Sequence, residues 1–337
     1  MPVGSGLGSW IRVKKEAVAG TKPTGVGYYD LPFTSESLNK VGKRSSANNI
    51  TANRARARTF LTGYDIGGTI NGVITYENID WLLLGACGLV TTAAVTTPFT
   101  NIYTFAAWSS TFPSFSIEVS KGDVPTGKCF QWVGAYVSGL TLNFNANGES
   151  TFSADIIAQD ETSTATTGAT PEATAHIHAS DVCLLPNEAT AYDIGVGAAT
   201  AYCVRSAQIQ IQAPYATDRP CLGAHTSKLP LPNGIPTVSG NFVIEFGDRV
   251  AYDAFVADTS QTGTLTYAGP IFTGATPYGF TAHLNKLYYS SALGNIDGPG
   301  PILATIGWEA EGTLGSSTTS QPIAFSTTND INGDTVL

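Results

Sequence analysis

Residues Gly67 to Gly88 read Gly-Gly-Thr-Ile-Asn-Gly-Val-Ile-Thr-Tyr-Glu-Asn-Ile-Asp-Trp-Leu-Leu-Leu-Gly-Ala-Cys-Gly, a strand feeding a short helix. Ile70, Ile74 and Tyr76 share one face with Gly72 between them, while Asn71, Thr75 and Glu77 point the other way, the period of two of a strand with one buried side. After Glu77 the period changes. Ile79, Leu82 and Leu83 recur at helical spacing behind Asn78, a residue suited to cap a first turn, and Gly85 offers a stop.

The same pattern returns between Thr237 and Asp258. With Gly240 set against Gly72, Val238, Phe242 and Ile244 take the places of Ile70, Ile74 and Tyr76, and Glu245 that of Glu77. Asp248 then caps a second helix whose apolar stripe is Ala251, Ala254 and Phe255. Any two strand–helix units look alike, so the flanks carry the argument for duplication: Leu31 and Phe33 precede the first unit, Ile209 and Ile211 the second, each across a long connection.

A chain of 337 residues has the length of about two domains. Only 13% of residues are charged and Gly numbers 36, which suits many short strands and tight turns and argues against a helical bundle or a disordered chain. The expected class is all-β. Five widely spaced cysteines, Cys87, Cys129, Cys183, Cys203 and Cys221, form no Cys-x-x-Cys pair, so they read as small buried residues of a reducing compartment rather than a disulfide framework or zinc site. No secretory leader is evident, and the longest apolar run, Trp81 to Val90, is too short to span a bilayer, so the reading is a soluble intracellular product.

Net charge is −9, unevenly spread. Residues 1 to 58 hold ten basic residues against Glu16, Asp30 and Glu36, giving +7 and leaving −16 for the rest. Such a basic part binds nucleic acid or docks on the acidic body of an identical neighbour. The basic loop holds Arg54, Arg56 and Arg58 in alternation but lacks interleaved aromatics or a recognition helix, which favours docking. The expected inter-subunit contacts are Trp10, Arg12, Lys43, Arg44, Arg54, Arg56 and Arg58.

The chain divides into an arm over 1–27, a first β domain over 28–161, a Thr/Ala-rich connector over 162–202, a second β domain over 203–326 and a polar tail over 327–337. Residues 39–64 read as a long connection. Leu140, Leu142 and Phe144 pair with Phe152, Ala154 and Ile156 across Asn147-Gly148, a dipeptide that favours a positive-φ hairpin turn.

Chemical motifs fail on inspection. Gly4-Ser5-Gly6-Leu7-Gly8 follows no strand and lacks the third glycine of a dinucleotide loop. His176, His178 and Asp181 lack further ligands at a metal spacing, and Asp330 to Asp334 lacks the turn glycine and closing glutamate of a calcium loop. Neither His225 nor His283 accompanies a Gly-x-Ser-x-Gly elbow. No catalytic, cofactor or metal residues are expected.

Leu31-Pro-Phe-Thr-Ser-Glu-Ser-Leu38, the loop through Arg58, Gly72-Val-Ile-Thr-Tyr-Glu77 with its helix, Phe115-Ser-Ile-Glu-Val-Ser-Lys-Gly122 and Trp132-Val-Gly-Ala-Tyr-Val-Ser-Gly-Leu-Thr-Leu142, in that order, resemble the phage tail tube (major tail) proteins of long, non-contractile tails. The likeness covers 28–160 residue by residue and the second half by pattern. It implies two tandem tail-tube-like β-sandwich or barrel domains, each with a short helix, whose sheets line a channel while arms and loops lock rings into a stack. It further implies a non-enzymatic virion protein made in the host bacterial cytoplasm. Its partners would be further copies of itself, tail terminator and tail tip proteins, and a tape measure protein in the lumen during assembly, with DNA passing unbound along an acidic wall. Duplication makes three chains per ring with pseudo-six-fold symmetry the expectation, against six chains each carrying an external second domain. A capsid-decorating or other virion β-sandwich protein, or a carbohydrate-binding module, would share the composition.

Overall fold

The computed structural model describes residues 6–23, 28–46, 59–93, 97–107, 112–121, 129–163, 177–178, 182–194, 203–296, 298–312 and 320–333. The first half holds β1 (Trp10–Lys15), β2 (Tyr29–Leu31), β3 (Ser35–Glu36), β4 (Asn39–Ser46) and β5 (Thr59–Val73), then α1 (Ile79–Cys87). After the helix come β6 (Gly88–Thr92), β7 (Phe99–Phe105), β8 (Phe115–Ser120), β9 (Cys129–Asn145), β10 (Thr151–Ile157) and β11 (Asp160–Ser163). Two pieces, β12 (Ile177–His178) and β13 (Ala189–Asp193), lead to β14 (Val204–Gln212), the short pair β15 (Tyr215–Ala216) and β16 (Leu231–Pro232), and β17 (Thr237–Glu245). After α2 (Val250–Val256) follow β18 (Gln261–Thr273), β19 (Thr276–Ser291), β20 (Gly294–Asn295), β21 (Leu303–Ala310) and β22 (Ile323–Asn329). The all-β class is therefore correct.

Two long, bent strands organise the halves. The start of β9 lies between β8 and β11, and its end between β10 and β14. Gly134, at φ +60, marks the change of neighbours, a backbone angle that side-chain-bearing residues resist. Along the second part Leu140, Leu142 and Phe144 are buried, the period of two that the sequence shows. In the same way β19 pairs with β22 over Gly279–Leu284 and with β21 over Leu287–Ser291.

A strand order repeats in space. The first half runs β3/β4, β5, β10, β9; the second runs β14, β17, β21, β19. Antiparallel pairing of β9 with β14, Leu142 opposite Ile209, joins the two rows into one open sheet. The aligned glycines match in their packing: Phe152 stands opposite Gly72 and Trp308 opposite Gly240. A Cβ would lie 2.7 Å from the Phe152 ring at the first and 2.5 Å from the Trp308 ring at the second, so both positions admit an aromatic from the neighbouring strand.

Behind this row a second layer, β13–β18–β19–β22–β7–β6, completes a sandwich. Phe144 of the first layer stacks on Tyr267 and Phe280 of the second at 5.6 and 5.9 Å, and Phe280 continues to Phe325 at 6.1 Å. One hydrophobic cluster runs through both halves.

Several local expectations are corrected. All nine residues of α1 are buried, Asp80 and Trp81 included, because β6, β7 and β9 pack on it and side chains of β22 reach it; the expected Ile79/Leu82/Leu83 stripe is only part of its core surface. Gly85 does not stop the helix. A Cβ there would sit 2.5 Å from Val137, so Gly85 permits close approach to β9, and Gly88, at φ +88, ends the helix. Asn78 ties the preceding turn instead of capping: its Oδ1 accepts from the Thr75 amide at 2.9 Å and its Nδ2 donates to Val73 O at 3.0 Å. In the second unit Asp248 does accept from the Val250 amide, at 3.0 Å, but only Ala251 of α2 is buried and Phe255 is exposed.

The β9–β10 hairpin forms in the expected register, Leu140 opposite Ala154 and Leu142 opposite Phe152. Its turn differs: neither Asn147 nor Gly148 has positive φ, and residues 146–150 are held by bonds from Ala146 N to Arg205 O and from Ser150 N to Leu184 O. Residues 31–38 split into β2 and β3 at Pro32, which has no amide to donate. Within the expected connection over 39–64, residues 39–46 form β4 and pair antiparallel with β5 from Thr59 onward. Two structured pieces, β12 and β13, lie in the expected connector, and β22 runs past 326 to Asn329 because Thr327 and Asn329 are buried. Of the cysteines, all free, Cys87 and Cys129 are buried while Cys203 and Cys221 are exposed.

Candidate assembly interface

The β4–β5 hairpin is the exposed basic feature. Among the described residues β4 pairs only with β5, and most of its side chains face solvent. Lys40 pairs with Asp160 at 2.6 Å and lies 4.7 Å from the Tyr64 ring; Lys43 pairs with Asp65 at 2.5 Å. Arg44 is exposed, as are the apolar Val41 and Phe60 beside it. Arg54, Arg56 and Arg58 lie outside the described residues.

Trp10 and Arg12 are engaged within the chain. They sit on β1, which pairs with β2 and β8 and buries Ile11 and Val13. The Arg12 Nε donates to Asp30 at 2.7 Å, and its guanidinium lies 4.2 Å from the Trp10 ring. Glu16, buried just beyond β1, anchors this region: its carboxylate accepts from the hydroxyls of Ser114 and Ser116, each at 2.7 Å, and from the amides of Gly20 and Gly134 at 2.7 and 2.9 Å. Part of the expected arm, β1, is thus a strand held in the body, with a charged group of filled acceptor capacity just beyond it.

A second buried carboxylate joins the halves. Asp80 of α1 accepts from Thr327 Oγ1 at 2.7 Å, Asn329 Nδ2 at 2.7 Å and Asn101 Nδ2 at 3.3 Å. Burial pushes its carboxyl up to about 7, against the pull of those donors toward the ionised form.

Two surface features escape sequence periodicity because they depend on which strands become neighbours. One is an open cavity of about 580 Å³ at the end of the second strand row, lined by Pro236, Ser239, Tyr288 and the carboxylates of Asp258, Glu309 and Glu311. The other is the outer side of α2, where Val250, Phe255 and Val256 are exposed. Their only sequence trace is the second strand–helix unit itself, which marks where α2 begins.

Asp330 is exposed beside the buried Ile331; His176 and Asp181 fall outside the described residues. No His/Cys/Asp/Glu cluster suited to a metal occurs among the described residues, nor does a helix long and apolar enough to cross a membrane. Curated proteins give no match to the chain. A family model described as phage tail tube protein matches residues 6–310, spanning the basic hairpin, both strand rows and both helices. The chain belongs to the phage tail tube protein family.

Proposed function

We propose that the chain polymerises into stacked rings that form the hollow tail tube through which phage DNA passes, with three chains per ring arranged with pseudo-six-fold symmetry. The observation that supports the ring is the repeated strand order joined by the β9–β14 pairing. A row of four strands that accepts an equivalent row at its edge can accept another, and repetition of such a head-to-tail contact gives a ring when its rotation closes. With two rows tied in one chain, three chains make six units. On this reading residues 28–161 and 203–326 are each a tube unit, the tube caps are terminator and tip proteins, and the tape measure protein fills the lumen during assembly.

The open face of the sheet suits a channel wall. Asn71, Ser153, Thr141, Asn143, Gln208, Gln210 and Asn241 project there, opposite the buried Ile70, Leu142 and Ile209. Asn143, Gln208 and Asn241 bond across three strands, Gln208 Nε2 to Asn143 at 2.9 Å and Asn241 Nδ2 to Gln208 at 3.2 Å. The centre of this face is hydroxyl- and amide-rich, while the same row carries Glu309 farther out and Lys286 there is paired with Glu311. A wall of this kind gives phosphates few free cations, and so little purchase on passing DNA.

Negative-stain electron microscopy of the purified protein, with rotational analysis of end-on views, tests the reading. Hollow tubes or rings with three-fold modulation are expected. Strict six-fold rings would remove the three-chain ring and keep the tube; a uniform monomer that also fails to extend a tail tip complex would remove the tube.

A further inference from the structure

The β4–β5 ribbon leaves the sheet with little to hold it. β10 pairs with β5 only over Gly67–Val73, so Thr59–Ile66 and the β4 residues opposite them run on as two strands. Two strands by themselves are marginal in water, and the outward side chains of β4 bury little. Lys40, bonded to Asp160 at 2.6 Å, ties one end of the ribbon to the body.

A second tie comes from the other half of the chain. Residues 213–236, which join β14 to β17, form a narrow finger. At its base β15 pairs with β16, Tyr215 opposite Pro232. Farther out Arg219 Nη1 donates to Leu229 O at 2.7 Å and the Lys228 amide to Arg219 O at 3.2 Å. Prolines at 214, 220, 230, 232 and 236 narrow its backbone freedom. The finger prolongs the line of β14 along β9: the Ala213 amide donates to Ser138 O at 2.8 Å, and the Tyr215 ring lies 5.3 Å from that of Tyr136. At the bend of β9, Leu229 sits on two glycines. A Cβ would lie 2.8 Å from its side chain at Gly134 and 3.3 Å from it at Gly20. Beyond the bend the tip meets the ribbon. The His225 carbonyl lies 3.5 Å from where a Cβ of Gly63 would stand, and Gly63 is opposite Lys43. The Lys43 ammonium, raised above its ordinary range chiefly by the hydrogen bond to Asp65, also feels the charge of Asp218 on the finger.

We propose that the 213–236 finger is a brace that fixes the direction in which the basic β4–β5 ribbon projects, so that the ribbon of each chain is aimed by its own second half. In the two strand rows β14 and β17 take the places of β3/β4 and β5, so the finger holds in the second unit the position of the β4–β5 connection in the first. The two connections have diverged. From 39 to 58 there are six basic residues and no acid, whereas the finger carries five prolines and mixed charge. One connection carries charge outward, and the other lies back along β9 to hold it. The brace belongs to a single chain and stands whether a ring contains three chains or six.

Hydrogen exchange on the unassembled chain, isolated by size-exclusion chromatography, reads the brace. Replacing residues 218–228 by Asn-Gly keeps β15, β16 and Leu229 and removes the tip. Amides over 39–46 and 59–66 should then exchange about tenfold faster than in the wild type, with those of the β9–β10 hairpin unchanged. Wild-type rates in the ribbon would overturn the brace. If the β9–β10 amides quicken as well, the body has loosened and Asp218→Lys decides, because Asp218 takes no part in the cross-finger bonds. Setting a second cation beside Lys43 should speed exchange in the ribbon alone by about threefold, and unchanged rates there would overturn the proposal.

Discussion

Asp80 gathers donors from two distant strands onto a helix that no solvent reaches. Replacing it with alanine strands Asn101 and Asn329, so a loss of about 3 kcal/mol is expected, measured by denaturant unfolding. Its proton adds a pH dependence. A carboxyl raised to about 7 in the fold from about 4 in the unfolded chain contributes stability in full below pH 4 and loses it as pH climbs through 7. The gap in Tm between the wild type and Asp80→Asn should therefore widen from pH 7.5 to pH 5; a constant gap would show that the carboxyl does not change its proton there. Gly240 offers a second residue-level expectation. A Cβ meets the Trp308 ring at 2.5 Å and clashes with the carbonyl of Gln208, so Gly240→Ala should cost about 2 kcal/mol with the strand displaced. Thermal unfolding checks it, with Gly148→Ala, which meets nothing, as the control.

The two strand–helix units show how far local pattern reaches. The alternation of Ile70, Ile74 and Tyr76 and of Val238, Phe242 and Ile244 locates the buried faces, because a strand with one dry side writes its period directly into the chain. The helices are less legible. The side chains of Thr327 and Asn329 that bond Asp80 come from β22, some 240 residues away, so nothing near Asp80 announces that a carboxylate there is buried. The Asn147-Gly148 turn fails for the same reason, since Arg205 and Leu184 shape it from outside the hairpin. Of the candidate contacts, Lys43 and Arg44 are visible in the sequence as a run without acids, while Trp10 and Arg12, alike by composition, also make contacts within the chain. For the three arginines of the basic stretch the expected outcome is specific: changing Arg54, Arg56 and Arg58 to Glu should abolish polymerisation and leave the circular dichroism of the subunit unchanged. Raised salt should weaken assembly of the wild type too, exposed charges being screened beyond about 8 Å at physiological ionic strength.

At the scale of the molecule the halves are woven together through β9–β14 and β7–β22. The end of the chain is accordingly structural. Deleting residues 327–337 removes Thr327, Asn329 and Ile331 from around α1, and such a chain should unfold well below the full-length protein in a thermal scan, whereas a dispensable tail would leave Tm unmoved. The β9–β14 seam carries one more consequence. Because the backbone already holds that contact, half of the junctions in a three-chain ring need no encounter in solution, and their local concentration is set by the connector rather than by expression. The two halves are thereby freed from having to be interchangeable. If a ring holds three chains as proposed, the basic hairpin on one half and the proline-rich connection on the other would give it three landing places of each kind, so a protein that reads the hairpin would load in threes on a tube of pseudo-six-fold bore.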